Sequence, residues 1–158
     1  MRILTPVPAK AQKFGGPWSL IKTDVVAAYL QTFSTALKQK KFSRVYIDAF
    51  AGSGTFTFDP KPIPLFDPAE TAVAHSGSVE KALAVKPPFD ELIFIEQKVA
   101  NVAALQKLIE GRPEARIVRG DANQELAHLC EPRLWRPRER RGVIFLDPFG
   151  LSVDWSTL

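Results

Sequence analysis

The sequence has few of the residues that build disulfide frameworks and metal centres. It contains one cysteine, Cys130, and two histidines among 158 residues. A single cysteine excludes an internal disulfide network and a zinc site with several cysteine ligands, and we expect Cys130 to be a small buried side chain. No apolar run has the length of a membrane span, and the amino terminus lacks the apolar core of a secretion signal. We therefore expect a cytoplasmic protein with no membrane partner.

Two common nucleotide-binding motifs are also missing. There is no Gly-Lys-Ser/Thr, which a P-loop requires, and no Gly-x-Gly-x-x-Gly, which places a pyrophosphate at a helix amino terminus. The chain has instead Asp48-x-Phe50-x-Gly52-x-Gly54, directly after the apolar residues 45–47. Glycine lacks Cβ and adopts positive φ readily, so the backbone can come close to a ligand. This order predicts a buried strand that turns into a ligand-binding loop. The alternative is a strand followed by an incidental pair of glycines.

Length, charge and proline content limit the organisation of the chain. A length of 158 residues suits one domain, and the net charge of +4 permits a nucleic-acid partner without requiring one. We predict an extended arm at 1–17 and one domain at 18–158. Four prolines fall within 56–76, which excludes a helix there and disfavours a central strand. This insertion is predicted to be a lid, a substrate loop or a decoration, with His75 as a loop residue.

Apolar runs alternate with helical patterns along the remaining chain. This alternation is typical of a parallel sheet covered by helices on both faces. The predicted fold class is therefore α/β, with a Rossmann-like parallel sheet of about four strands. In the first helix, the apolar stripe that includes Val25 and Tyr29 is predicted to pack on the sheet, and Ser78 is predicted to cap the second helix. The predicted strands are 43–49, 92–95, 115–119 and 142–146, and the predicted helices are 18–40, 77–84, 98–110 and 124–129.

Each predicted strand ends in an acidic residue. These residues are Asp48, Glu96, Asp121 and Asp147. In open α/β sheets, ligands bind beyond the carboxyl ends of the strands. We therefore expect the four carboxylates to surround one small ligand. For each acid alone, the alternative is a turn residue or a helix cap.

The glycine pattern resembles that of nucleotide methyltransferases, in which it cradles S-adenosylmethionine. The resemblance implies that Asp48 lies near the methionine ammonium and that Asp121 and the Ala122 amide contact adenine. Glu96 would accept from both ribose hydroxyls, because a carboxylate has two acceptor oxygens. The residues predicted to bind this cofactor are Asp48, Phe50, Gly52, Gly54, Glu96, Asp121 and Ala122.

The residues Asp147-Pro148-Phe149 resemble the (Asp/Asn/Ser)-Pro-Pro-(Tyr/Phe) motif of methyltransferases that modify exocyclic amines of nucleobases. In those enzymes an acceptor side chain and a backbone carbonyl hold the amine, and an aromatic ring stacks on the base. The predicted catalytic residues are thus Asp147 as acceptor, Pro148, and Phe149 as stacking ring, with no metal. The chain departs from the motif, because Gly150 follows Phe149 and there is one proline. A plain turn is the alternative.

The segment 133–141 carries five arginines and Trp135 directly before the fourth predicted strand. Arginine side chains of this density can contact phosphates of a nucleic acid. Charged residues in a loop are also common on a solvated surface. The sequence leaves both interpretations open.

Four strings in order resemble the three-Cys-motif partner protein family over residues 18–158: YIDAFAGSGTF, GSVEKALAVKPPFDELIFIE, GDANQEL and RRGVIFLDPFGLSVDW. The resemblance implies a class I S-adenosylmethionine-dependent methyltransferase fold and a cysteine-motif, radical-SAM-like partner protein. Val79 stands where that family usually has proline. The family also continues well beyond a fourth strand, so we expect this chain to be its amino-terminal, cofactor-binding part.

Three functions follow as hypotheses. The first is an S-adenosylmethionine-dependent methyltransferase that acts on an exocyclic amine of a nucleic acid base. The second is a non-catalytic partner of the cysteine-motif protein. The third is a nucleotide-binding enzyme of another kind, against which the glycine spacing argues. The sequence predicts no particular oligomeric state.

Overall fold

The structure, a computed structural model, describes residues 12–13, 17–57, 74–135, 139–148 and 152–157. The strands are β1 Gln12–Lys13, β2 Ser43–Asp48, β3 Thr55–Thr57, β4 Ala74–Ser76, β5 Glu91–Ile95, β6 Ala115–Val118 and β7 Arg140–Phe145. The helices are α1 Pro17–Leu37, α2 Ser78–Leu83, α3 Val99–Leu108 and α4 Ala122–Leu129, with short 3-10 helices at Pro132–Leu134 and Trp155–Thr157. Within these residues, no helix is both long enough and apolar enough to cross a bilayer.

The main sheet has four parallel strands in the order β6-β5-β2-β7. Ile47 of β2 lies opposite Ile93 of β5 on one side and Ile144 of β7 on the other. The chain lays down β2, β5 and β6 in one direction and then returns past β2 to add β7. The strand order therefore reverses between β2 and β7, which is where ligands bind in such sheets. The predicted α/β class and its Rossmann-like parallel sheet are confirmed.

The sheet separates two apolar layers. Tyr46 and Phe94 pack with Leu30 of α1 and Leu105 of α3 on one face. Strand neighbours alternate between faces with a period of two residues. On the opposite face, the strand residues Val45, Ile47, Ala49, Ile93 and Ile95 pack with Ala122 and Leu126 of α4.

Helix α1 buries a narrower face than the sequence predicts. Leu30 is fully buried, whereas Val25 is 63% exposed and Tyr29 is 58% exposed. Because successive helical residues are rotated by about 100°, the residue before Leu30 is turned away from the sheet. The prediction that Val25 and Tyr29 pack on the sheet is therefore wrong.

The proline-rich insertion begins and ends in strands that the sequence does not predict. Strand β3 pairs antiparallel with β4 and parallel with β1, so the three form a small second sheet. His75 lies in β4, and its prediction as a loop residue is wrong. The four prolines avoid these strands and fall within 58–73, outside the described residues. Two residues of the predicted arm form β1; residues 1–11 and 14–16 also lie outside the described part.

The two ends of this insertion meet. The amide of Gly77 donates to the carbonyl oxygen of Gly54 at 3.1 Å. One hydrogen bond therefore joins the glycine turn to the residue before α2, and residues 55–76 are inserted in the sequence between these two points.

Candidate cofactor site

A cavity of about 230 Å³ lies at the carboxyl ends of β2, β5 and β6. Its walls come from the turn after β2, the starts of α3 and α4, and the segment after β7. Among its lining residues are Phe50, Gly52, Glu96, Asp121 and Ala122, all predicted to bind the cofactor. The structure thus brings these five residues together at the expected edge of the sheet.

The turn after β2 crosses the end of the sheet. The Ala49 amide donates to Phe145 of β7 at 3.0 Å, and the Ala51 amide donates to Ile95 of β5 at 3.1 Å. Gly52 then has a φ of 62°, a conformation that costs little only for glycine. This reversal brings the Gly52 backbone to the cavity wall.

Gly54 does not line the cavity. Its φ is 82°, and a Cβ placed on it would overlap Cδ1 of Leu108 and lie 3.3 Å from Leu105. Its missing side chain therefore lets the turn pack closely on α3. The second glycine of the motif serves helix packing, while Gly52 faces the ligand side.

Asp48 is fully buried beneath the turn and does not line the cavity. Its Oδ1 accepts from the Phe50 amide at 3.2 Å. Its Oδ2 accepts from the Ser78 hydroxyl at 2.5 Å and from the Tyr46 hydroxyl at 3.4 Å. The pKa of Asp48 is raised from 3.8 to about 6, and burial is the largest cause. The three hydrogen bonds oppose this shift, and the charge of Asp147 adds to it.

The hydroxyl of Ser78 has a different role from the one the sequence predicts. Gly77 is the N-cap of α2, and no side chain caps the helix. Because the Ser78 hydroxyl donates to Asp48, it links α2 to the glycine turn. The predicted Ser78 cap is therefore wrong, and Asp48 is the point at which strand, turn and helix meet.

The carboxylates of Glu96 and Asp121 are held by backbone amides. Oε1 of Glu96 accepts from the Lys98 amide at 2.6 Å, at the start of α3. Asp121 is the N-cap of α4, and its Oδ1 accepts from the amides of Asn123 at 3.0 Å and Gln124 at 3.3 Å. Asp121 is therefore a helix cap, as the alternative interpretation predicted, in addition to lining the cavity. These bonds use one oxygen of each carboxylate, so the other oxygen can accept from a ligand.

Asp147 follows β7, the neighbour of β2, and does not line the cavity. The prediction that four carboxylates surround one ligand is therefore wrong for Asp48 and Asp147. Its Oδ2 accepts from Lys22 Nζ of α1 at 2.6 Å, and the side chains are 41% and 47% exposed, respectively. An exposed pair of this kind contributes at most about 1 kcal/mol, so a ligand can displace Lys22. Pro148 is partly buried, and Phe149 lies outside the described residues.

Two asparagines of the site were missed by sequence reasoning. Asn101 is 6% exposed, lines the cavity and has no hydrogen-bond partner for Nδ2 among the described residues. Its sequence signal is a polar residue four positions before the buried Leu105. Asn123 anchors the segment after β7, because its Oδ1 accepts from the Asp154 amide at 2.9 Å and its Nδ2 donates to Ser152 at 3.0 Å.

The arginine segment before β7 contains ion pairs with acids. Arg133 pairs with Glu131, and Arg140 pairs with Glu91. Arg140 also lies over the ring of Trp135, with 5.4 Å from Cζ to the ring centroid. These contacts favour a solvated, internally paired surface over a phosphate-binding patch. Residues 136–138 lie outside the described part, and β7 begins two residues before its predicted start.

Two further predictions concern the cysteine and metal binding. Cys130, predicted to be buried, is exposed at the C-cap of α4. In the described part of the chain, no group of three or more His, Cys, Asp or Glu residues could hold a metal ion.

Comparison with known proteins gives matches to solved structures. No family model matches the sequence, and no curated protein matches it. The crystal structure of protein LPL1258 from Legionella pneumophila str. Philadelphia 1, of the family DUF519, matches with a TM-score of 0.55 and 19% identity. A chain described as "Putative methyltransferase yhhF" from Escherichia coli matches with a TM-score of 0.41 and 22% identity.

Both matches cover 80% of this chain and 56% of the solved chain. The chain therefore spans a little over half the length of these proteins. The TM-score of the second match is too low to support an argument. The resemblance to the three-Cys-motif partner family stays a prediction. At 19% identity, the match to the LPL1258 protein shows that this chain is similar to it in fold.

Proposed function

We propose that this chain binds S-adenosylmethionine in the cavity and serves methyl transfer to an exocyclic amine of a nucleic acid base. The observation that carries the proposal is the pair of carboxylates, Glu96 and Asp121, held by helix-start amides beside the Gly52 turn. Fixed acceptors at the ends of adjacent strands suit the hydroxyls and the amino group of an adenosine. The backbone at Gly52 suits close approach by the rest of the cofactor.

The volume of the cavity matches the nucleoside half of the cofactor, and the methionine half would lie outside it. The volume of about 230 Å³ lies below the range of about 300–1,000 Å³ for drug-sized ligands. It suits the nucleoside half, with Glu96 at the ribose and Asp121 and the Ala122 amide at the adenine. The methionine half would extend along Phe50 and Gly52. Asp48 lies beneath this turn and would attract the ammonium through its charge.

Methyl transfer in this site would depend on positioning. When bound, the cofactor supplies an electrophilic methyl group. Asp147, once released from Lys22, would accept a hydrogen bond from the acceptor amine, and the Pro148 carbonyl would accept a second. Holding the two N–H groups aims the nitrogen lone pair at the methyl group, which lowers the entropic part of the barrier. Phe149 is proposed to stack on the base.

Binding of the cofactor is the first test. We expect heat of binding when wild-type protein is titrated with S-adenosylmethionine and none with NAD. Glu96→Gln should weaken S-adenosylmethionine binding about ten- to hundred-fold, because a hydrogen bond to a charged group contributes about 1.5–3 kcal/mol. Glu110→Gln, at an exposed position after α3, should bind like wild type. A folded wild-type sample that gives no heat with S-adenosylmethionine would contradict the proposal.

Methyl transfer is the second test. With tritiated S-adenosylmethionine and total RNA or DNA as acceptor, Asp147→Ala should lower the transfer rate by about a hundred-fold or more, since it removes the group that orients the amine. Its affinity for the cofactor should stay within about twofold of wild type. Asp154→Ala, an exposed acid in the same segment, is the matched control. Loss of cofactor binding together with transfer would instead make Asp147 a structural residue.

A second candidate function is that of a non-catalytic partner for the cysteine-motif protein. An exposed apolar row on α1 favours it: Ile21, Val25 and Tyr29 are 52%, 63% and 58% exposed. These residues are four positions apart and share one helix face. Under this function no nucleic acid would become labelled, even with wild-type protein that binds S-adenosylmethionine, so the transfer assay separates the two candidates.

A further inference from the structure

We propose that Asn101 is a ligand-contacting residue that donates its side-chain amide to a ribose hydroxyl oxygen of the nucleoside in the cavity. This rests on the proposed function, because it takes the ligand to be an adenosyl compound. It adds a donor to a site whose predicted side-chain contacts are otherwise carboxylates.

The amide of Asn101 lacks an acceptor. The residue is 6% exposed, and its Nδ2 has no hydrogen-bond partner in the part of the chain that the structure describes. Buried polar groups in native proteins are nearly always paired, and an unpaired one is destabilising. Asn101 also lines the cavity. Nδ2 itself is shielded from solvent, so the amide must turn about its Cβ–Cγ bond, which exchanges the positions of Nδ2 and Oδ1, to present the donor to the cavity. A ligand oxygen in the cavity would then supply the missing acceptor.

The position of Asn101 selects the ribose. It lies one turn before Leu105, and Leu105 packs against the turn at Gly54. Residues four apart share a helix face, so Asn101 faces the glycine turn. Glu96 is tied to the start of the same helix through the Lys98 amide. Asn101 thus stands between the acid proposed for the ribose and the turn that the cofactor would follow.

The chemistry of a hydroxyl group requires both kinds of partner. A ribose hydroxyl donates one hydrogen and accepts through its oxygen, whereas an ionised carboxylate only accepts. Glu96 alone can satisfy the hydrogen but offers no donor to the hydroxyl oxygen. The amide of Asn101 completes the pair. Together the two side chains would distinguish a ribose from a deoxyribose.

The test compares wild type, Asn101→Leu and Asn101→Asp, titrated with S-adenosylhomocysteine and with its 2′-deoxy and 3′-deoxy analogues. Both variants keep much of the side-chain shape and lose the donor. Each should bind S-adenosylhomocysteine about tenfold or more weakly than wild type. The Leu variant should melt at or above the wild-type temperature, because it removes an unpaired buried donor. Gln106→Leu, at an exposed position on α3 outside the cavity wall, should change affinity less than threefold.

The deoxy analogues give an independent readout. Wild type should bind at least one deoxy analogue more weakly than S-adenosylhomocysteine. For the same pair of ligands, the loss of affinity in Asn101→Leu should be clearly smaller, because this variant has no donor to lose. Equal losses in the two proteins would overturn the assignment. Wild-type binding with undiminished affinity in both variants would overturn it and leave the proposed function standing. A folded wild type that does not bind S-adenosylhomocysteine would overturn both.

Discussion

Gly77→Ala is expected to lower the free energy of unfolding by about 3 kcal/mol and to weaken cofactor binding with it. A Cβ on Gly77 would overlap the carbonyl oxygen of Gly54 and lie 3.0 Å from its carbonyl carbon. Both atoms are backbone, so no side-chain rotation relieves the overlap. The strained chain must lengthen the hydrogen bond from Gly77 to Gly54, and overpacking of this kind costs typically 1–3 kcal/mol. The displaced turn carries Gly52, so the cavity wall moves too.

Gly120→Ala is the matched control for this variant. A Cβ there would overlap Oε1 of Glu125 and lie 2.7 Å from its Cγ, which are atoms of a partly exposed side chain. Glu125 can swing away, so the cost should stay below about 1 kcal/mol. Urea denaturation of both variants measures the difference. Equal losses would show that the Gly54–Gly77 contact yields easily and does not hold the turn.

Above about pH 6, ionised Asp48 is expected to lower the free energy of unfolding of the wild type by about 3 kcal/mol, and Asp48→Asn should remove this loss. In the folded protein the pKa of Asp48 is raised from 3.8 to about 6, chiefly by burial. Below pH 3.8 both folded and unfolded states hold the proton. As the pH rises towards 6, the unfolded state releases it first, so stability falls by about 1.4 kcal/mol per pH unit. Above about pH 6 the loss is complete, and the neutral asparagine avoids it.

The measurement is the difference in unfolding free energy between wild type and Asp48→Asn from about pH 3.5 to pH 7.5. Taking the difference cancels the contributions of other groups, such as Asp90, whose pKa is lowered by its bonds to Arg44 despite the opposing effect of burial. The free energy of unfolding of the variant, relative to that of wild type, should increase as the pH rises from about 4 to about 6. Asp154→Asn, at an exposed position, should show no such trend. A flat difference for Asp48→Asn would mean that its carboxylate is well solvated in the folded state.

The parallel sheet could be predicted because its signal is local. Each core strand contains a short apolar run, and an acid ends the strand or follows it within three residues. The alternation with helices then fixes the fold class. The same pattern predicted that Asp48, Glu96, Asp121 and Asp147 would surround one ligand. Glu96 and Asp121 line the cavity, whereas Asp48 and Asp147 do not. Nothing beyond strand direction was needed for this part of the site.

The remaining features depend on packing that no single segment encodes. Asp48 and Gly54 belong to the predicted motif, yet the structure turns them towards α2 and α3 because those helices need their hydrogen bonds and close approach. The outward side of α1 follows from which residues meet Tyr46 and Phe94. Among the described residues, β3 pairs with β4 and with β1, and this small sheet is separate from the main one. No sequence pattern marks the Asn101 amide, whose lack of a partner among the described residues is visible only in three dimensions.

The meeting of Gly54 and Gly77 has a consequence for how this protein can vary. Because the polypeptide leaves the core and re-enters it at one point, what is inserted there need not fit a fixed span. Because Gly54 and Gly77 lie within hydrogen-bond distance, a short linker could join them and shorten the chain while β2 and α2 keep their positions. The insertion between Gly54 and Gly77 can therefore be replaced by another one, while Glu96 and Asp121 keep their positions at the cavity.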